Sequence, residues 1–278
     1  MILQGQKMRR TVFFISDGTA ITTETVGHSL LTQFPGVAFQ QVRIPFVDSP
    51  AKARDAVAWI DQASAADGAA AIAFISIVDE HTRSVFHGSR GITLDLFADF
   101  LDTLESALGV SRESTVGRAH GVANSDRYED RMEATNYALT HDDGISLSYE
   151  NADLILVGIS RTGKTPTCLY MALHFGVKAA NYPLTEKDLE QQRLPGHLRM
   201  HRDKTVGLTI DADRLAQIRE TRRPGSPYAS LKQCHWEVDA AESLLRSEGI
   251  EVFATTHSSI EEIASRVLAH LGMQREMY

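Results

Sequence analysis

The 278-residue sequence lacks several features that would indicate particular classes of protein. Its two cysteines, Cys168 and Cys234, are far apart in the chain, so neither a disulfide framework nor a cysteine-rich zinc site is expected. The eleven histidines show no zinc-like spacing. No stretch approaches the run of about 18 apolar residues that a membrane-spanning helix needs, and the N-terminal residues lack the apolar core of a signal peptide. We therefore expect a cytoplasmic protein with no membrane partner.

Excess positive charge is also absent. The chain has 28 Lys and Arg against 36 Asp and Glu, which gives a formal net charge of -8. Proteins that bind nucleic acid broadly need a positive field to displace counterions, so this class is excluded. A hydrophobic content of 43% with 23% charged residues is ordinary for a globular protein.

Short apolar runs alternate with longer amphipathic segments along the chain. Strands are predicted at 11–16, 39–44, 70–78, 153–159, 205–210 and 250–255, and helices at 20–34, 50–66, 92–108, 126–140, 165–175, 212–222, 229–248 and 259–271. This alternation favours an α/β fold with a largely parallel sheet. The polar, turn-rich stretch 141–153 predicts a boundary between an N-terminal α/β domain at 1–150 and a second α/β domain at 151–278.

The second domain opens with GISRTGKT, which matches the phosphate-loop pattern G-x-x-x-x-G-K-[ST]. An apolar strand runs directly into this segment and a helical segment follows it, which is the order that the pattern requires. The sequence therefore predicts a P-loop kinase-like domain. Its predicted nucleotide-binding residues are Gly158, Ile159, Ser160, Arg161, Thr162, Gly163, Lys164 and Thr165.

The chemistry of phosphoryl transfer predicts a role for several loop residues. Lys164 is expected to act in catalysis by contacting the terminal phosphates, and Thr165 is expected to bind Mg²⁺. Pro166 falls in the first turn of the following helix, where a backbone N–H has no helical acceptor, so it does not break the loop. Arg161 either contacts a phosphate or the substrate, or is a solvent-facing charge.

Carboxylates that could assist transfer occur after two predicted strands. Asp211 follows the strand at 205–210 and is either a catalytic or metal-binding group or the N-cap of the helix at 212–222. Asp17 follows the first strand and either caps or shapes a turn, or contacts substrate. Both are candidate catalytic residues.

Two further clusters allow more than one interpretation. One cluster contains three arginines, Arg219, Arg222 and Arg223. They either bind phosphate or stabilise the C-terminal end of a helix by their positive charge, and the sequence favours the second role. The segment 141–143, His-Asp-Asp, resembles a metal site, but the glycine after it favours a turn.

Several segments together resemble one known family. They are FFISDGTAIT, TQFPG, THDDGISL, GISRTGKTPTCLYMALHFGVKAANYPL, GLTIDADRLAQIRETRR, YASLKQC and the terminal REMY. In order and over nearly the whole chain, they are similar to the regulatory proteins of phosphoenolpyruvate synthase, within the pyruvate, phosphate dikinase regulatory protein family. This resemblance is far more specific than the phosphate loop alone.

The resemblance implies a bifunctional enzyme. Such proteins use ADP to phosphorylate a threonine of the synthase, which inactivates it, and use inorganic phosphate to remove that group as pyrophosphate. It thus implies an ADP-dependent serine/threonine protein kinase and phosphorylase, with ADP, inorganic phosphate and Mg²⁺ at the loop and phosphoenolpyruvate synthase as partner. A small-molecule P-loop kinase and a non-catalytic nucleotide sensor are the alternatives from the residues alone, and the sequence leaves a homodimer open.

Overall fold

The computed structural model describes residues 9–111 and 125–273, so the terminal REMY segment lies outside the described residues. The chain divides into two compact units, Met1–Gly121 and Val122–Tyr278. None of the helices in the described ranges is long and apolar enough to cross a bilayer.

The first unit contains a four-stranded parallel sheet with helices on both faces. In chain order its elements are β1 (Arg9–Ser16), α1 (Ile21–Leu31), β2 (Ala38–Ile44), α2 (Pro50–Asp67), β3 (Ile72–Ser76), α3 (Glu80–Ser84), β4 (Ile92–Asp95) and α4 (Ala98–Leu108). The strand order is β2-β1-β3-β4. Successive side chains of a strand point to opposite faces, so Phe13 and Ile15 of β1 pack with α2, whereas Val12 and Phe14 pack with Leu31 of α1.

The second unit repeats this order in a second parallel sheet, β6-β5-β7-β8. Its elements are α5 (Ser125–Thr140), β5 (Leu154–Gly158), α6 (Lys164–Phe175), β6 (Ala179–Pro183), α7 (Glu186–Gln191), α8 (Gly196–Arg199), β7 (Thr205–Thr209), α9 (Ala212–Arg222), α10 (Leu231–Ser247), β8 (Val252–Ala254) and α11 (Ile260–His270). Helices α5, α6 and α11 cover one face of the sheet, and α9 and α10 cover the other. The predicted α/β class with parallel sheets is confirmed.

The division between the units falls before α5, not at the predicted boundary of 150/151. Ala134 and Ala138 of α5 are fully buried in one cluster with Met171 of α6, so this helix forms part of the core of the second unit. The polar stretch after α5 is therefore a connection inside the second unit.

Two strands differ from the sequence prediction. The segment Ile92–Asp95 was expected to begin a helix, but it pairs with β3 as the edge strand β4. Strand β6, Ala179–Pro183, was not predicted, because its Ala, Asn and Pro residues have low strand propensity. Its proline is tolerated because β6 is an edge strand of the sheet and the proline is its last residue.

Candidate phosphate-binding site

The phosphate-loop segment lies at the carboxyl end of β5 and leads directly into α6. All five residues of β5 are buried, and the strand pairs with β6 on one side and with β7 on the other. After β5 the chain continues to β6 on one side of it and then crosses to β7 on the other side. The loop therefore lies at the point where the strand order of the sheet reverses. Ligands of open α/β sheets bind at this kind of position.

Two glycines in the loop are required by its backbone. A Cβ atom added to Gly158 would lie 2.3 Å from the carbonyl oxygen of Leu208 in β7, which is too close for any side chain. Gly163 is the N-cap of α6 and has φ 85°, in the left-handed region that favours glycine. Between them, Arg161 adopts φ 77°, a strained backbone conformation for a residue with a side chain.

Lys164, the first residue of α6, is buried inside the loop with only 4% of its surface exposed. Its Nζ donates a hydrogen bond of 2.9 Å to the carbonyl oxygen of Ile159, and the hydroxyl of Thr162 donates to the same oxygen at 3.0 Å. Burial lowers the pKa of Lys164 to about 8, and the negative charges of Asp143 and Asp142 partly oppose this shift. A buried ammonium whose hydrogen-bond acceptor is a neutral carbonyl is poised to bind an anion.

Thr165 contacts a carboxylate that comes from the connection between α5 and β5. Its hydroxyl donates to Oδ1 of Asp142 at 2.7 Å, and Nδ2 of the fully buried Asn181 donates to the same oxygen at 2.5 Å. Oδ1 of Asn181 accepts from the backbone N–H of Asp143 at 3.0 Å. Asn181, in β6, thus fixes the Asp142–Asp143 segment beside the loop.

Ser160 is held on the other side of the loop by a buried network. Nη2 of Arg219 donates to the carbonyl oxygen of Ser160 at 3.3 Å, and the hydroxyl of Tyr228 donates to Oγ of Ser160 at 2.9 Å. The Arg219 side chain is fully buried, forms a bidentate ion pair with Glu237, and lies 3.9 Å from the centre of the Tyr228 ring. Such a bidentate pair also fixes geometry, so the network makes this part of the loop rigid.

A cavity of about 520 Å³ opens over the loop. Three cationic side chains and two carboxylates line it together with Ser160, Gly163, Thr165, Pro166 and Ile218; the charged residues are Arg161, Lys164, Arg222, Asp142 and Asp143. Pro166 is the third residue of α6 and lies in its first turn, as expected. Five of the eight loop residues that the sequence singled out therefore line one cavity, namely Ser160, Arg161, Gly163, Lys164 and Thr165.

Two other residues, Asp211 and Asp17, were predicted to be catalytic. Oδ1 of Asp211 accepts a hydrogen bond of 3.0 Å from the N–H of Arg214, so Asp211 caps α9, and it lines a separate cavity with residues after β8. Asp17 belongs to the first unit, where its Oδ2 accepts from the N–H of Val78 at 2.7 Å and ties the loop after β1 to the loop after β3. A catalytic role of Asp17 stays a prediction.

Sequence reasoning did not assign the carboxylates that reach the loop. It favoured a turn for the segment 141–143, and the structure does have a turn there, but a turn that presents Asp142 to Thr165. Asn181 carried no sequence signal because the strand that contains it was not predicted. The sequence favoured a role at a helix end for the arginine cluster. In the structure, Arg219 is buried and Arg222 lines the cavity.

Comparison with known proteins places these features in a family. The family model described as "Kinase/pyrophosphorylase" matches residues 12–268. A protein of Stenotrophomonas maltophilia named "Putative phosphoenolpyruvate synthase regulatory protein" is 54% identical over 269 residues, which are 97% of this chain and 98% of the relative. Proteins of the same name from Xanthomonas campestris pv. campestris and Aromatoleum aromaticum are each 51% identical, with the same shares of both chains covered. The chain therefore belongs to the Kinase/pyrophosphorylase family.

Proposed function

We propose that this protein regulates phosphoenolpyruvate synthase by transferring a phosphoryl group from ADP to a threonine of the synthase, and by removing that group with inorganic phosphate. The observation that carries the proposal is the buried Lys164 in a loop between a strand and a helix, open to a cavity lined by charged side chains. The family description supports phosphoryl-transfer chemistry, and the names of the relatives support phosphoenolpyruvate synthase as the partner.

The residues beside the loop fit a bound Mg²⁺. This ion is usually held by one or two carboxylates together with substrate phosphates and water. Asp142 and Thr165 place a carboxylate and a hydroxyl in direct contact, and Oδ2 of Asp142 makes no hydrogen bond with any residue that the structure describes. Asp142 and Thr165 would therefore hold the ion, which when bound neutralises charge on the phosphates.

The protein's own residues position the phosphoryl group and move the proton. In the forward direction the threonine oxygen bonds to the β-phosphorus of ADP while the bond to the AMP oxygen breaks, and the threonine proton must leave. Asp143 lines the cavity and its carboxylate makes no hydrogen bond with a described residue, so we assign it as the acceptor of that proton. Lys164 stabilises the charge on the transferred group.

In the reverse direction an oxygen of inorganic phosphate bonds to the phosphorus of phosphothreonine, and the bond to the threonine oxygen breaks. Pyrophosphate leaves, and the threonine oxygen takes up, by way of Asp143, the proton that the attacking phosphate gives up. Inorganic phosphate then occupies the position of the α-phosphate of AMP, so one loop serves both reactions.

Labelling separates this proposal from its alternatives. The protein is incubated with Mg²⁺, ADP labelled in the β-phosphate and purified phosphoenolpyruvate synthase, and the labelled synthase is then treated with inorganic phosphate. Label on the synthase that is released as pyrophosphate is the expected result. Label on a metabolite would indicate a small-molecule kinase, and bound but unreacted ADP would indicate a nucleotide sensor. Lys164→Met should slow labelling about a hundredfold or more. Lys178→Met, which changes a partly exposed lysine paired with Glu133, should label at the wild-type rate.

A further inference from the structure

The C-terminal turn of α9 forms one wall of the cavity over the loop. Ile218 and Arg222 lie one helical turn apart on this helix, and both line the cavity with Lys164 and Thr165. The guanidinium of Arg222 makes no hydrogen bond or ion pair with a residue in the described ranges. Its neighbour Arg223 is also exposed but does not line the cavity.

Arg219 anchors this turn of α9 to the loop. It lies one turn before Arg222, and its buried guanidinium donates both to Glu237 of α10 and to the carbonyl oxygen of Ser160. The charge and hydrogen bonds of Glu237 raise the pKa of Arg219 against the opposing effect of burial, so it stays a cation. Because one end of the turn is fixed on Ser160, Arg222 is presented to the cavity from a rigid element.

The charged side chains that line the cavity carry a small excess of positive charge, which favours an anionic ligand. Lys164, Arg161 and Arg222 supply three positive charges, and Asp142 and Asp143 supply two negative ones. The ammonium of Lys164 is already bonded to a loop carbonyl, whereas the planar guanidinium of an arginine can bind two phosphate oxygens at once.

We infer that Arg222 is a phosphoryl-binding residue of this site, which contacts the oxygens of a phosphoryl group in the cavity. The inference rests on the proposed function for the class of ligand, and it adds a binding residue outside the phosphate-loop pattern. The phosphoryl group could belong to ADP or to inorganic phosphate, since both present the same oxygens to a guanidinium.

Calorimetric titration of the full chain with ADP and, separately, with inorganic phosphate tests the inference. Loss of a charge-assisted hydrogen bond should weaken binding roughly tenfold to a hundredfold in Arg222→Gln, with an unchanged melting temperature. The matched control Arg223→Gln should bind like the wild type. Weakening for ADP alone would place Arg222 on the nucleotide, and weakening for inorganic phosphate alone would place it on the attacking phosphate; either result supports the inference.

Arg222→Gln that binds both ligands as tightly as Arg223→Gln would overturn the inference. If Lys164→Met abolishes ADP binding in that experiment, the proposed function survives and only the role of Arg222 fails. Wild-type protein that binds neither ligand overturns the proposed function and this inference together. A melting temperature that falls in Arg222→Gln with unchanged affinity would assign Arg222 to the stability of the helix end.

Discussion

Binding of ADP should bring protons onto Lys164 at alkaline pH. In the free protein burial lowers the pKa of this lysine to about 8, so part of the population is neutral near physiological pH. Phosphate oxygens that contact the ammonium favour its charged form and should return the pKa to its ordinary value of about 10.5 or above. Binding of ADP is therefore accompanied by uptake of a proton by each molecule in which Lys164 was neutral before binding.

The magnitude follows from the two pKa values. A group with a pKa of about 8 lacks roughly 0.1 proton at pH 7, about 0.5 at pH 8 and about 0.9 at pH 9. The bound group is almost fully protonated over this range, so uptake per ADP should follow these three figures. The second ionisation of a phosphate lies near pH 6, so ADP itself contributes little at pH 8 and above.

Calorimetry in buffers of different ionisation enthalpy measures this uptake. Lys164→Arg is the informative variant, because a guanidinium stays charged over the whole range and the rise with pH should vanish even where binding persists. Lys178→Met, at a partly exposed lysine whose pKa is raised by its hydrogen bond with Glu133, should keep the wild-type profile. Uptake in the wild type that does not rise between pH 7 and pH 9 would refute the reasoning.

Four further predictions concern the site. Lys164→Met should slow transfer about a hundredfold or more, but chemical denaturation at pH 7 should give a free energy of unfolding that is unchanged or raised. The reason is that the pKa of Lys164 is lower in the folded than in the unfolded chain, so the charged lysine opposes folding below pH 8 by up to about 3 kcal/mol. This effect is lost as the pH rises from 8 to 10.5. Asp143→Asn should slow phosphoryl transfer about 10²- to 10⁴-fold while the affinity for ADP is retained. Asp211→Asn should transfer the group at the normal rate, because asparagine is also an N-cap residue. Equal transfer rates in the two variants would contradict the assignment of Asp143 as the proton acceptor. Gly158→Ala should lower the free energy of unfolding by about 1 to 3 kcal/mol, whereas Gly196→Ala, where a Cβ meets nothing within 4 Å, should change it little. In steady-state dephosphorylation AMP should compete with inorganic phosphate, and noncompetitive inhibition would indicate separate sites.

The sequence determined the elements whose residues carry their own signal. The buried strand β5, the loop after it and helix α6 were predicted because the apolar run, the spaced glycines and the Lys-Thr pair are local features. The parallel α/β class followed from the alternation of strands and helices for the same reason. All six predicted strands lie in the two sheets, with ends shifted by a few residues.

Only the tertiary structure decided which polar residues meet at the loop. Asp142 reaches Thr165 across 23 positions in the chain because Asn181 holds its segment, and Asn181 is buried only through the pairing of β6 with β5. Arg219 likewise reaches Ser160 from 59 positions away. Asp211 is the converse case, since a residue at a strand end serves equally well as a cap or as a ligand. Its hydrogen bond to Arg214 shows that it caps α9, and its catalytic role stays a prediction that Asp211→Asn tests. A pattern along the chain records local propensity, whereas contacts between distant residues are set by strand order and packing, which no short segment encodes by itself.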